Sequence, residues 1–229
     1  MPVDPLTVIA EILGEPAESM RNPANAEYRC PFINSECIKK SHRFAGPYPV
    51  CTVYGGRRNP EPICVCPMRF YEAELQRDIL NHCWVGKRPS NPRMAYEVTM
   101  AGFGKVDFVL ADIDKDTGKV KTFISVELQA VDITGSYESA YTAVLNGQQL
   151  EKRSKFGFNW GNVRKRYVSQ LISKGFFHHQ WGARMVAVMQ TAIYHQFRSY
   201  IHFDELDSAN ANANIIFLLY RYDLAPEGD

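Results

Sequence analysis

The most informative stretch of hydrophobic and polar positions lies between residues 105 and 129. Lys105 to Ala111 and Phe123 to Gln129 each read as a buried strand, yet each carries an acid where packing alone would place a hydrophobe. Between them, Asp114-Lys-Asp-Thr-Gly118 is hairpin chemistry. A loop centred on Thr117 predicts that Asp107 stands opposite Glu127 with both side chains on one face, and Gln129 shares that face. A slip of one residue would send Glu127 to the other side. The competing reading is an ordinary amphipathic hairpin with the acids on its solvated face. Val109, Ala111 and Ser125 argue against it, because they fall on the same face and a solvated face is normally more polar.

Elsewhere the periodicity predicts a short helix over Leu6 to Leu13, then an irregular Cys, Pro, Gly and Arg region from Tyr28 to Pro67 that needs a staple to hold its shape. A helix follows over Phe70 to Trp84, stopped by Gly86 to Pro92, and then a strand from Met94 to Met100. Helices are expected over Ser136 to Leu150, Val163 to Ser173 and part of His178 to Tyr200, although Met185 to Met189 reads equally well as a strand. Ile215 to Tyr222 is a late strand. This order predicts an α+β fold, a mixed central sheet flanked by helices beside a small Cys-rich metal-binding region. The expected division is an N-terminal segment with the metal-binding region over 1–67 and a catalytic core over 68–229.

A chain of 229 residues with 45% hydrophobic content can bury a substantial core. It has no apolar run of membrane-spanning length, and Met1 to Pro5 lacks the regions of a signal peptide, so a soluble cytoplasmic protein with no membrane partner is expected. The net charge of +1 conceals an asymmetry. Residues 150–200 hold nine Lys/Arg against the single acid Glu151. Such a basic stretch suggests a polyanionic partner. Lys152, Arg153, Lys155, Arg164, Lys165 and Arg166, interleaved with Phe156, Phe158, Trp160 and Tyr167, suit contacts to a DNA backbone. A solvated helix face would look similar. Arg57, Arg58, Lys39, Lys40 and Arg43 could reach phosphates or guanine edges.

Two buried carboxylates side by side repel unless a cation or proton separates them, so Asp107 and Glu127 predict a divalent metal held by hard oxygen ligands and hydrolysis of a phosphodiester. Cys30, Cys37, Cys51, Cys64 and Cys66 cluster in the irregular region. Thiols so placed point to structural zinc or iron, with Cys30, Cys37, Cys51 and Cys66 as the favoured set and Cys64 competing with Cys66. Cys83 sits on an apolar helix face and reads as packing. A lone His42 is more often a surface residue than a ligand.

With these features assembled, the chain resembles the NotI-type restriction endonucleases, a branch of the PD-(D/E)XK nuclease superfamily. The resemblance is carried by Cys30-Pro-Phe with Cys37-Ile-Lys39, Val50-Cys-Thr-Val53, Cys66-Pro-Met-Arg-Phe70, Gly104-Lys-Val-Asp-Phe-Val-Leu110 and Val126-Glu-Leu-Gln-Ala-Val-Asp-Ile-Thr-Gly135. It covers about residues 28 to 135 and continues more weakly through Trp160 to Gln190. It implies a Mg²⁺-dependent, sequence-specific endonuclease for double-stranded DNA, with a four-cysteine iron site of rubredoxin type beside the nuclease core. Asp107 and Glu127 would bind Mg²⁺, and Gln129 would occupy the place most of the superfamily gives to lysine. Glutamine cannot act as a charged base, so it would orient the attacking water. A further acid is implied, with Glu97 preferred over Glu72. The chain is short for that family. Cutting both strands of a palindrome would favour a homodimer. The competing functions are a non-catalytic nucleic-acid-binding protein with a metal knuckle and a repair or structure-selective nuclease.

Overall fold

The computed structural model describes residues 8–20, 28–40, 47–56, 60–102, 104–150, 152–207 and 213–222. In chain order the first strands are β1 (Ile9–Ile12), β2 (Glu15–Pro16), β3 (Arg29–Cys30), β4 (Ser35–Glu36), β5 (Val50–Gly55) and β6 (Glu61–Cys64). A 3₁₀ turn over Pro67–Glu72 and helix α1 (Leu75–His82) lead into β7 (Pro92–Met100), β8 (Gly104–Ile113), β9 (Val120–Gln129) and β10 (Ile133–Gly135). Then come α2 (Glu138–Asn146), β11 (Phe156–Phe158), the short α3 (Trp160–Asn162), a π-helical turn over Val163–Tyr167, and α4 (Val168–Gln180). The chain closes with β12 (Arg184–Gln190), α5 (Thr191–Arg198) and β13 (Ile215–Tyr220). The fold is α+β, and among the described residues no helix is long and apolar enough to cross a membrane.

The chain divides into two compact units. One comprises Met1–Glu72, Ala130–Trp160 and Arg221–Asp229; the other comprises Ala73–Gln129 and Gly161–Tyr220.

In the first unit the sheet order is β2-β1-β5-β6. The strand β1 replaces the helix expected from Leu6. All four of its residues are buried, and a strand covered on both faces reads as a continuous apolar run that periodicity does not distinguish from a buried helical turn. Part of the region from Tyr28 to Pro67 also contributes to a hydrophobic core. Tyr48, Val50 and Val53 join Ile9, Ile12, Tyr137 and Tyr141 in one core, with the Tyr48 ring stacked on Tyr137 at 5.2 Å. A buried ion pair ties β1 to the 3₁₀ turn: Arg69 bonds Glu11 at 2.9 Å while its guanidinium lies over the rings of Phe32 and Tyr222. Helix α2 ends at Asn146, short of the expected Leu150, because Gly147 takes a left-handed conformation (φ 61°) and the next amide caps Ala143.

The second unit is built on a five-stranded mixed sheet of order β13-β12-β9-β8-β7. The pairs β7–β8 and β8–β9 are antiparallel, whereas β9–β12 and β12–β13 are parallel. Met185 to Met189 is therefore a strand, β12, with every residue from Met185 to Gln190 buried, as expected of a central parallel strand covered on both faces. Helix α4 lies close to the sheet because Gly175 has no side chain. A Cβ there would come within 2.7 Å of Ile215.

Candidate active site

The hairpin β8–β9 has the expected register. Phe108 pairs with Val126, Val109 with Ser125, Leu110 with Ile124 and Ala111 with Phe123. The turn is held by the Asp114 carboxylate, which accepts from the Asp116 and Thr117 amides and the Thr117 hydroxyl. Phe108, Leu110, Ile124, Val126 and Leu128 are buried on one side. The other side carries Asp107, Val109, Ala111, Ser125, Glu127 and Gln129, all buried or half-buried, so the solvated-hairpin reading does not hold.

The ladder between β8 and β9 ends at Phe108–Val126, one rung before the acids. At that rung the Asp107 carboxylate takes over from the backbone, its Oδ2 accepting the Leu128 amide at 2.6 Å. Glu127 sits beside Ala187 of the parallel neighbour β12, and its Oε1 is paired with the ammonium of Lys174 from α4. Asp107 Oδ1 and Glu127 Oε2 accept no hydrogen bond from the described residues. Burial raises the pKa of Asp107 against the Leu128 bond and the Lys174 charge. Burial also pushes Glu127 up to about 7, with the neighbouring Asp107 charge adding to the rise and Lys174 opposing it.

Lys174 escaped the sequence reading. Its residue is 5% exposed, and the ammonium bonds both Glu127 and the Lys105 carbonyl, the latter at 2.9 Å. The next turn of α4 holds it in place: His178 Nδ1 donates to the Lys174 carbonyl at 2.6 Å, and His178 Nε2 accepts from the Ser125 hydroxyl at 2.6 Å. A carbonyl can only accept, which fixes a proton on Nδ1, and in the neutral ring Nε2 then accepts from the Ser125 hydroxyl. Burial favours that neutral form by lowering the His178 pKa. Tyr167 was placed in the basic run but is buried on the same helix face. Burial and the charges of Glu127 and Asp107 raise its pKa well above the usual phenol range. Its hydroxyl has no hydrogen-bond partner among the described residues. The missed signal was a stripe, Val163, Tyr167, Leu171, Lys174 and His178, all buried at helical spacing. The expected helix stopped at Ser173 and cut that stripe off.

Glu97 lies between the Tyr96–Phe108 and Val98–Val106 pairs, the rung shared with Asp107. Its backbone is left-handed at φ 49°, a strained conformation for glutamate, and its charge contributes to raising Asp107. Its side chain is mostly exposed and pairs with Lys105 at 3.3 Å. Glu72 belongs to the first unit and is paired with Arg69.

The basic residues separate into two groups. Lys152, Arg153 and Lys155 belong to the first unit, where Arg153 donates to the Tyr54 and Gly56 carbonyls. Arg164, Lys165 and Arg166 are exposed on the π-helical turn of the second, and Arg164 stacks over Tyr200 at 5.0 Å. Arg57, Arg58, His42 and Arg43 lie outside the described residues. Lys39 does not extend outward as a DNA contact would. Its ammonium turns inward to the Val50 and Val65 carbonyls.

The thiols Cys30, Cys51, Cys64 and Cys66 are buried, and Cys37 is half-buried. Cys66 is the electrostatic neighbour shared by Cys37, Cys51 and Cys64. Cys64 donates to the Cys66 carbonyl at 3.1 Å. Burial pushes Cys51 and Cys64 up to about 12. Among the described residues no three His, Cys, Asp or Glu side chains converge as a ready-made coordination sphere. The oxygen donors of Asp107 and Glu127 fit a hard cation such as Mg²⁺, which uses one or two carboxylates and completes its shell with water and substrate oxygens. The donor chemistry of the cysteines fits a soft ion.

A mixed sheet whose antiparallel hairpin carries two acids at the end of its ladder, beside a buried ammonium, is an arrangement able to hold a hard cation against a phosphate. The profile of the family described as Restriction endonuclease NotI matches residues 18–229. The chain belongs to that family and is an endodeoxyribonuclease whose partner is DNA. No curated protein matches it.

Proposed function

We propose that the protein is a Mg²⁺-dependent, sequence-specific endonuclease that hydrolyses phosphodiester bonds of double-stranded DNA at a site centred on Asp107 and Glu127. The observation that carries this reading is the pairing of the two acids one rung beyond the ladder, each with one oxygen engaged and one directed to no protein donor. Asp107 and Glu127 would hold the metal, and Mg²⁺ bound there would supply a lowered water pKa and charge neutralisation at the phosphate. The Leu128 amide orients Asp107. Gln129, two residues past Glu127 on the same face, orients the attacking water by hydrogen bonding. One bond then forms from the water oxygen to phosphorus, and one breaks to the leaving sugar oxygen. Glu97, across from Asp107, supplies the further acid in preference to Glu72.

Lys152, Arg153, Lys155, Arg164, Lys165 and Arg166 contact DNA phosphates, together with Arg57 and Arg58, and two copies of the chain act on the two strands of a palindrome in the cytoplasm. Cys30, Cys37, Cys51 and Cys66 hold a structural iron or zinc ion in the 1–67 segment, and residues 68–229 supply the nuclease core. The support for that site is Lys39. Its ammonium, turned inward, has Cys66, Cys51, Cys64 and Cys37 as its electrostatic neighbours, and metal-bound thiolates would balance its charge.

The test is incubation with mixed plasmid or phage DNA, with and without Mg²⁺, followed by sequencing of fragment ends. Discrete ends with one shared sequence are expected only with Mg²⁺. Asp107→Ala and Glu127→Ala should lower cleavage by on the order of a thousandfold while DNA binding persists. Equal turnover by variant and parent would overturn the assignment.

A further inference from the structure

Three features of the covering helix converge on the acid pair. Lys174 on α4 pairs with Glu127 and bonds the Lys105 carbonyl on β8, so it spans the two strands that carry the acids. His178 and Ser125 lock its position from the following turn. Tyr167, one heptad earlier on the same buried stripe, has a hydroxyl with no partner among the described residues, although both acids act on it. The third position of the strand motif, Gln129, carries no charge.

We propose, resting on the nuclease reading above, that Lys174 is the cationic catalytic residue of this active site, delivered from the covering helix instead of from the strand, with the Tyr167 hydroxyl as a neighbouring donor to the phosphate or its water. The physical argument is charge balance. Hydrolysis accumulates negative charge on the phosphoryl oxygens beside two carboxylates, and a fixed ammonium in a water-poor site stabilises that charge without reorganising. A lysine serving only to stabilise the fold would be a poor choice at this depth. Replacing a buried ion pair by apolar residues is often neutral or stabilising, so retention of the pair needs another reason.

The experiment compares the parent with Lys174→Gln, which keeps a donor without the charge, and with Lys174→Gln/Gln129→Lys, which returns the charge from the strand. Three readouts are taken on the full chain: cleavage in Mg²⁺, binding of the same DNA in EDTA, and thermal melting. Lys174→Gln should cut on the order of a hundredfold more slowly. Its binding in EDTA should weaken several-fold, because the pocket then presents one more net negative charge to the phosphate. Adding Gln129→Lys should recover at least about tenfold in rate. If Lys174→Gln is folded and cuts within about threefold of the parent, an effect too small for a lost charge-stabilising donor, the inference is wrong while the nuclease reading stands. If it unfolds, and Gln129→Lys restores melting but not cleavage, Lys174 is a structural counter-ion and the inference is equally wrong. If the parent itself cuts no DNA under any condition, the nuclease reading falls first.

Discussion

The pH dependence of stability in metal-free protein provides a quantitative check on the acid pair. Glu127 titrates near its ordinary 4.5 in the unfolded chain and at about 7 in the folded one, where burial and Asp107 disfavour its charge. Between those values the folded state binds more protons than the unfolded state, so the unfolding free energy falls as pH rises. The stabilisation is complete below about 4.5 and gone above about 7. At about 1.36 kcal/mol per pH unit, the loss is about 3 kcal/mol. Solvent screening reduces it little, since the Glu127 side chain is 12% exposed. On the proposed reading Mg²⁺ would oppose this loss, because it would bind the ionised carboxylate. A concentration a hundredfold above its dissociation constant adds about 2.7 kcal/mol. Urea unfolding at pH 5 and pH 8, with and without Mg²⁺, measures both effects. The reference is Glu127→Gln/Lys174→Met, which removes both members of the ion pair and leaves no buried charge unpaired. Relative to that variant the parent should lose about 2.5 kcal/mol between pH 5 and pH 8, because part of the change already lies below pH 5, and only the parent should gain strongly from Mg²⁺ at pH 8. A parent curve parallel to that of the double variant, or equal stabilisation of both by Mg²⁺, would refute the reasoning.

Three further outcomes follow from other parts of the structure. Tyr167→Phe should leave stability unchanged or raise it by up to about 1 kcal/mol, since it removes a buried hydroxyl that bonds no described residue, while slowing cleavage; destabilisation beyond that in urea unfolding would show that the hydroxyl has a protein partner. Neutralising Arg164, Lys165 and Arg166 together should weaken binding to all sequences and flatten the slope of log affinity against log salt by about 2.7, the value for three phosphate contacts, as read by fluorescence anisotropy. An unchanged slope would discard that turn as a DNA contact. Elemental analysis should find about one iron or zinc per chain in the parent and loss of it in Cys66→Ser, because a tetrahedral site loses a quarter of its ligands. Retention of metal in that variant would move the ligand to another thiol, with Cys64 the nearest candidate.

The register of Asp107 against Glu127 was legible in the sequence because two local signals agreed. The period-two pattern decided which side chains share a face, and the Asp114 turn decided where the chain reverses, so the pairing needed no information from elsewhere. The late strand at Ile215 and the helix after Tyr137 were legible for the same kind of reason. Strand β1 was not, and strand β12 was legible only as one of two equal readings, because a run buried on both faces loses the alternation that separates strand from helix. The sequence likewise showed a basic stretch over residues 150–200, but not that its residues divide between two compact units.

What the sequence by itself determined was the hairpin, its two acids and the chemistry they favour, since neighbouring strands joined by a tight turn interact at short range along the chain. The tertiary structure decided what stands over those acids. Lys174 lies 47 residues beyond Glu127, and Tyr167 becomes part of the pocket only once a helix has packed across the sheet. A contact of that kind has no local signature: its free energy depends on burial created by the whole unit, which turns an ordinary-looking lysine into the charge that two carboxylates need.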